Sequence, residues 1–216
     1  LVDLYIAHVF PTEWSGFEDR TLSQIHPTAF LEAGVVIGPD CKISKGVILE
    51  AGVRLGRGVF IGENTRVGAH TKIADASVIG KNCSIGAHNV IGGQGFGLIP
   101  FAKAPNPRPR RHVGRVVLED YVRTGAFVAI DRAVFGETRI GEASSLDNVI
   151  QVAHNSQLGP NNIICGFVGL AGSTKTGSRV TMAGMSASAG HLKIADNVTI
   201  AGQTGINASI EESGTY

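Results

Sequence analysis

An aliphatic residue returns at every sixth position through most of this chain, and that period constrains the fold more than any other feature. One series runs Ile25, Leu31, Ile37, Ile43, Leu49, Leu55, Ile61, Val67, Ile73, Ile79, Ile85 and Ile91. A second runs Val116, Val122, Val128, Val134, Ile140, Leu146, Val152, Leu158, Ile164 and Leu170, passes Thr176 to reach Met182, skips at Ser188, and resumes at Ile194, Ile200 and Ile206. Neither the helical repeat of 3.6 nor the strand repeat of 2 produces this. Short strands joined by corners do, and a hexapeptide β-helix has that signature. Stacked coils then bury a shared core that no single hexad could bury alone, rising roughly 4.8 Å per coil.

Two further slots support the reading. Four residues after each aliphatic stands a small or β-branched residue, as at Cys41, Val47, Val53, Thr65, Thr71, Ser77 and Cys83. By alternation this slot also points inward. Another slot reads Gly34, Asp40, Gly46, Gly52, Gly58, Asn64, His70, Asn82 and His88. These types best tolerate positive φ, so this slot is the corner. The expected fold is all-β, a single-stranded parallel β-helix whose three strands per coil form a triangular prism.

Residues 1–24 do not keep the register and read as the remnant of a preceding domain or as a cap. The helix is expected over 25–210, interrupted by a loop over 92–115, with 211–216 opening a C-terminal extension. Val116 lies 25 residues after Ile91, one more than four hexads, so the register is expected to resume shifted by one residue. The glycines of Gly92-Gly93-Gln94-Gly95-Phe96-Gly97 allow a tight excursion. Their spacing is not that of a dinucleotide fingerprint. The stretch 98–113 is rich in proline and arginine. It suits an acidic partner or a phosphate, or is simply a solvated loop.

A net charge of +1 gives no global pull towards nucleic acid, and no apolar run reaches the length of a transmembrane segment. The three cysteines, Cys41, Cys83 and Cys165, read as reduced small hydrophobes in a cytoplasmic protein. His70 and His88 are three hexads apart and should stack. A metal is one reading of that pair; corner histidines chosen for their backbone conformation are the other.

The chemistry is expected in Gln151-Val152-Ala153-His154-Asn155. His154 falls beside the corner and points outward. Gly172 follows by eighteen residues, in the same slot one coil later, and leaves an open space and an accessible N–H. A general base beside a backbone donor is the minimum for acyl transfer. His191 lies two coils and one residue beyond His154, in a corner slot. Asp147, Asn148, Gln151 and Asn155 are the polar residues nearby in sequence, and carboxamides suit hydroxyl-rich ligands. Asp147 is one candidate to orient an imidazole; a neighbouring subunit is another.

The ordered set Ile91-Gly92-Gly93-Gln94-Gly95-Phe96-Gly97, Gly114-Arg115-Val116-Val117, Ile130-Asp131-Arg132, Asp147-Asn148, Gln151-Val152-Ala153-His154-Asn155, Ala171-Gly172-Ser173-Thr174-Lys175 and Gly190-His191-Leu192 resembles the UDP-3-O-acylglucosamine N-acyltransferases. That resemblance implies a left-handed prism and a homotrimer with sites in clefts between subunits. It implies transfer of a 3-hydroxyacyl chain from acyl carrier protein, through its phosphopantetheine, to the 2-amine of a UDP-linked 3-O-acylglucosamine. No cofactor and no metal are implied. His154 would be the general base, Gly172 an oxyanion donor and His191 an assisting residue. Family members also carry an N-terminal domain that helps hold the uridine and a C-terminal helix involved with the carrier protein. Related readings are a UDP-GlcNAc O-acyltransferase, which has Asp where this chain has Asn155, and a nucleotide-sugar N-acetyltransferase. A zinc site of the γ-carbonic-anhydrase type and a purely structural solenoid are the remaining rivals.

Overall fold

The computed structural model describes residues 23–99 and 108–216. The expectations for residues 1–22 and for the loop tip at 100–107 lie outside them. The described chain winds into three parallel sheets of nine, ten and nine strands. Gln24–Ile25 opens the first sheet, Phe30–Leu31 the second and Val36–Ile37 the third; Lys42–Ile43 returns to the first and pairs with Gln24–Ile25. Three hexads therefore close one coil, and the section is triangular. Gly214–Thr215 is the last strand of the second sheet, paired with Val198 and Thr199.

Each two-residue strand turns one side chain outward and one inward. Ile43, Leu49, Leu55, Ile61, Ile73, Ile79 and Ile91 are fully buried in one column of core. The second inward slot is buried too, and its polar members are tied to the backbone: Thr65 Oγ1 donates to the Gly80 carbonyl (2.8 Å) and Thr71 Oγ1 to that of Gly86 (2.9 Å). Cys41 and Cys83 sit in this slot as free, buried thiols. Burial pushes the Cys83 thiol up to about 11, which removes its reactivity at neutral pH. The corner slot has positive φ, as at Asp40 (60°), Asn64 (57°) and His88 (58°).

The register after the loop differs from the expectation of a single one-residue shift. Val78 pairs with Val117 and Ile79 with Leu118, a separation of 39 residues where 18 make a coil. The first insertion therefore adds 21. Val117 pairs in turn with Arg139, 22 residues on, so a second insertion adds four. It lies between the strands Ala129–Asp131 and Glu137–Ile140. Val116, Val122 and Val128 thus occupy the second inward slot, and Leu118, Thr124 and Ile130 the main one. Val134 lies in the excursion and is only half-buried. Both inward slots accept β-branched residues, so residue type could not fix the phase; strand pairing does. Thr124 and Thr176, polar in the aliphatic column, are each met by a buried asparagine of the second slot, Asn89 and Asn162.

Both insertions leave the prism at the same corner, where the third sheet passes to the first. His154, Gly172 and His191 lie at that corner as well. The fold thereby gathers both insertions, and His154, Gly172 and His191 among the candidate residues, along one edge.

Candidate active site

His154 follows the strand Gln151–Val152, whose partner one coil on is Gly169–Leu170. The pairing puts Gly172 against the imidazole. A Cβ at Gly172 would lie 2.8 Å from both Cε1 and Nε2 of His154, so only glycine leaves the ring its place.

The tautomer of His154 follows from its neighbour. Asn155 Oδ1 accepts the Val134 N–H at 3.0 Å, and Asn155 Nδ2 donates to the Phe135 carbonyl at 3.0 Å. These two bonds identify Oδ1 as the acceptor. His154 Nδ1, 3.1 Å from that oxygen, must then carry the proton. The lone pair is left on Nε2, the atom beside Gly172. Asn155, at φ 61°, holds the second insertion and the histidine together. Its carboxamide is engaged with the chain itself.

The N–H in the slot of Gly172 has an acidic side chain as its partner at several other corners of the prism. Arg57 N–H donates to Asp75 (3.0 Å), Lys81 N–H to Asp120 (2.7 Å), and Ser178 N–H to Asp196 (2.6 Å), each acceptor one coil on. Ala69 N–H and Glu142 N–H are met instead by glutamates of the preceding coil, Glu50 (3.0 Å) and Glu119 (2.9 Å). The corresponding positions around Gly172 are Gly190 and Ala153, which have no oxygen to offer. Among the described residues, no side chain takes the Gly172 N–H. The slot thus binds a carboxylate oxygen at several corners of the prism, and beside His154 it is left open.

Two residues that sequence reasoning missed complete the surroundings. Asp131, at the start of the second insertion, accepts from Gln151 Nε2 at 2.9 Å. Burial raises its carboxyl to about 6, against the opposing pull of His154 and of the Gln151 bond. His112, at the end of the first insertion, lies with its ring centroid 4.9 Å from that of His154. Asp131 belonged to a quoted motif and His112 to a basic loop. Neither is near His154 in sequence, and only the topology of the insertions brings them there.

The remaining candidates fall elsewhere. His191, at φ 62°, shares a corner column with Asn155 and Ser173, and its N–H donates to the Gly172 carbonyl at 2.9 Å. Its side chain lines a cleft of about 750 Å³ with Phe135, Asn155, Lys175 and Lys193. Asp147 and Asn148 stand at the opposite end of the third sheet, at the corner leading from the second. Asn148 Oδ1 accepts the Ala126 N–H (2.9 Å) and its Nδ2 donates to Asp147 (2.8 Å). Within one chain they do not meet His154. His70 and His88 stack at 5.2 Å, and Phe127 continues the column at 5.1 Å from His88. Among the described residues, no three His, Cys, Asp or Glu side chains are grouped to hold a metal ion. No helix among them is long and apolar enough to cross a membrane.

Known proteins share parts of this arrangement. Residues 21–97 match the GMPPB C-terminal domain family. The UDP-3-O-acylglucosamine N-acyltransferase of Anaeromyxobacter dehalogenans is 44% identical over 88 residues, which is 39% of this chain and 25% of that protein. Its counterpart from Wolinella succinogenes is 48% identical over 85 residues, 39% of this chain and 26% of that protein. The match therefore spans about a quarter of these relatives' length. Among solved structures, UDP-N-acetylglucosamine acyltransferase from Bacteroides fragilis superposes with a TM-score of 0.63 at 22% identity, covering 88% of this chain and 67% of its own. The Francisella novicida enzyme gives 0.62 at 20% identity, covering 86% and 61%. At this identity the likeness concerns the fold, the left-handed parallel β-helix. In its aligned segment the chain resembles the UDP-3-O-acylglucosamine N-acyltransferases, and through its described coils it is a left-handed hexapeptide β-helix.

Proposed function

We propose that the chain is the catalytic prism of an N-acyltransferase. It would move a 3-hydroxyacyl group from acyl carrier protein to the 2-amine of UDP-3-O-acylglucosamine in the cytoplasm. The observation that carries this reading is the pairing of His154 Nε2, a lone pair by virtue of Asn155, with the open N–H of Gly172. The substrate class rests on the names of the relatives.

In this mechanism the sugar amine attacks the thioester carbonyl of the phosphopantetheine arm. His154 Nε2 takes the proton that the amine sheds as the C–N bond forms. The carbonyl oxygen becomes an oxyanion and accepts the Gly172 N–H, as carboxylates do in the equivalent slots. Collapse breaks the C–S bond, and the departing thiolate receives the proton held by His154. No cofactor enters the step. His191, in the neighbouring cleft, is assigned an assisting role in substrate binding.

A homotrimer fits the same reading. Along the corner between the second and third sheets, Phe127, Val149, Phe167 and Met185 form an exposed apolar column. All four have positive φ, including the β-branched Val149 at 57°. Left-handed backbone disfavours such residues, and apart from the stacking of Phe127 on His88 their exposure leaves the cost uncovered. A second copy laid on this column would cover it, and would bring Asp147 and Asn148 of one chain towards a neighbouring site.

The test is mass spectrometry of the product. The chain is incubated with 3-hydroxyacyl carrier protein and UDP-3-O-acylglucosamine, beside a His154→Ala control. A hydroxyacyl amide formed by the first and lost in the second is expected. No amide from the folded protein, with transfer to the hydroxyl of UDP-GlcNAc instead, would overturn the N-acyltransferase reading.

A further inference from the structure

The first insertion leaves the prism after Val90–Gly93 and returns at Arg115–Leu118. Its neck is closed by a reciprocal pair: the His112 N–H donates to Gln94 Oε1 (3.0 Å) and Gln94 Nε2 to the His112 carbonyl (3.1 Å). A short hairpin, Leu98–Ile99 with Arg108–Pro109, extends beyond it. The neck thus ends on a histidine that is only 2% exposed, with its ring tilted by 52° against that of His154.

Two glycines of the loop make room for it. A Cβ at Gly95 would lie 3.0 Å from His112 Nε2 and 3.2 Å from His154 Cβ; one at Gly97 would lie 3.2 Å from His112 Cε1. The spacing Gly95-Phe96-Gly97 is therefore the imprint of the histidine pair on the loop. His112 Nδ1 lies 3.1 Å from the Arg110 carbonyl, which can only accept, so Nδ1 carries the proton. Nε2 is buried and has no hydrogen-bond partner among the described residues. Protonating it would place an N–H where nothing accepts it, beside Arg110, Arg132 and His154. Burial first, and then His154, hold His112 below the usual histidine range.

We propose that His112 is a positioning residue for His154, a ring delivered by the neck of the insertion that keeps the His154 imidazole in the rotamer lying against Gly172. This rests on the reading of His154 as the general base. A second ring at this distance stops His154 from swinging away. A ring that stays neutral leaves the proton of the reaction to His154 alone. Histidine serves where phenylalanine would not, because its Nδ1–H also satisfies the Arg110 carbonyl.

The test compares the wild-type chain with His112→Ala, His112→Phe and Gly95→Ala, using ¹⁵N-histidine NMR of His154 together with kcat and KM. In His112→Ala, we expect His154 to lose its single Nδ1–H signature and its ring-current shift. The expected fall in kcat is about 10- to 100-fold, at or below the lower end of what a positioned general base contributes because the base itself is retained, with KM for the sugar unchanged. His112→Phe restores the ring and recovers kcat to within about threefold, at lower thermal stability. Gly95→Ala, which wedges the pair apart from the other side, reproduces the alanine signature; it decides the matter if His112→Ala does not fold. His154 signals in folded His112→Ala that superpose on the wild type, or a folded phenylalanine variant no better than alanine, overturn the proposal. A wild type that transfers no acyl group sinks the general-base reading, while the NMR comparison still decides whether His112 positions the ring.

Discussion

Asn155 Oδ1 lies 3.1 Å from His154 Nδ1, and this contact determines which nitrogen of the histidine is free to take a proton. The same oxygen anchors the second insertion through Val134. Asn155→Ala removes both bonds and places alanine at φ 61°. It should lower stability by about 1–3 kcal/mol and kcat by at least about tenfold. Asn155→Asp keeps the acceptor and should retain most of kcat, losing only the bond to the Phe135 carbonyl. Equal kcat values for the two variants would disprove the assignment.

Gly172→Ala separates chemistry from folding. Gly172 has no positive φ, so the backbone accepts alanine without strain. The three atoms nearest the added methyl all belong to the imidazole of His154, at 2.8 to 3.3 Å. Thermal unfolding should be nearly unchanged, while kcat/KM falls by about 100-fold or more. Parallel loss of stability and activity would contradict the geometry.

The raised carboxyl of Asp131 makes stability depend on pH. Its value is about 6 in the fold against an ordinary 3.8, so between these pH values the folded chain holds a proton that the unfolded chain has released. The burial cost is fully present above about pH 6 and disappears as the pH falls towards 4. Asp131→Asn should therefore raise the melting temperature at pH 7.5, by about 2–4 °C for each kcal/mol relieved, and give no gain near pH 4. Calorimetry at the two pH values checks the sign.

Val149 at the second-to-third corner offers a test of self-association. Val149→Asn relieves a β-branched residue at φ 57° and should stabilise the isolated chain by about 1 kcal/mol. Combined with Phe167→Asn, it should shift sedimentation to the monomer if the proposed homotrimer uses this column. A trimer that persists with both substitutions would assign the assembly surface elsewhere.

Much of this architecture could be read from residue types. The aliphatic, small and corner slots each make a distinct physical demand, and the aliphatic series runs from Ile25 to Ile91 without a miss. The phase after the loop could not be read. Val116, Val122 and Val128 suit either inward slot, and an insertion of 21 followed by one of four imitates a single slip by one residue. The pairing of His154 with Gly172 was legible because eighteen residues separate them, one whole coil. His112 and Asp131 were not. Each reaches His154 on an excursion whose path no periodicity records.

The capped amides of the prism have a wider consequence. At several corners the molecule fills the same backbone receptor with one of its own acidic side chains, among them Asp75, Asp120 and Asp196. Those carboxylates are resident imitations of a negatively charged oxygen, already bound in the geometry that a reaction would use. A repeat of this kind needs no new binding element to accept such an oxygen from outside. It needs only a coil in which the internal imitator is shortened to glycine or alanine, with a base standing next to the amide that is exposed. New sites on this scaffold can arise by subtraction at any corner where a histidine is already present.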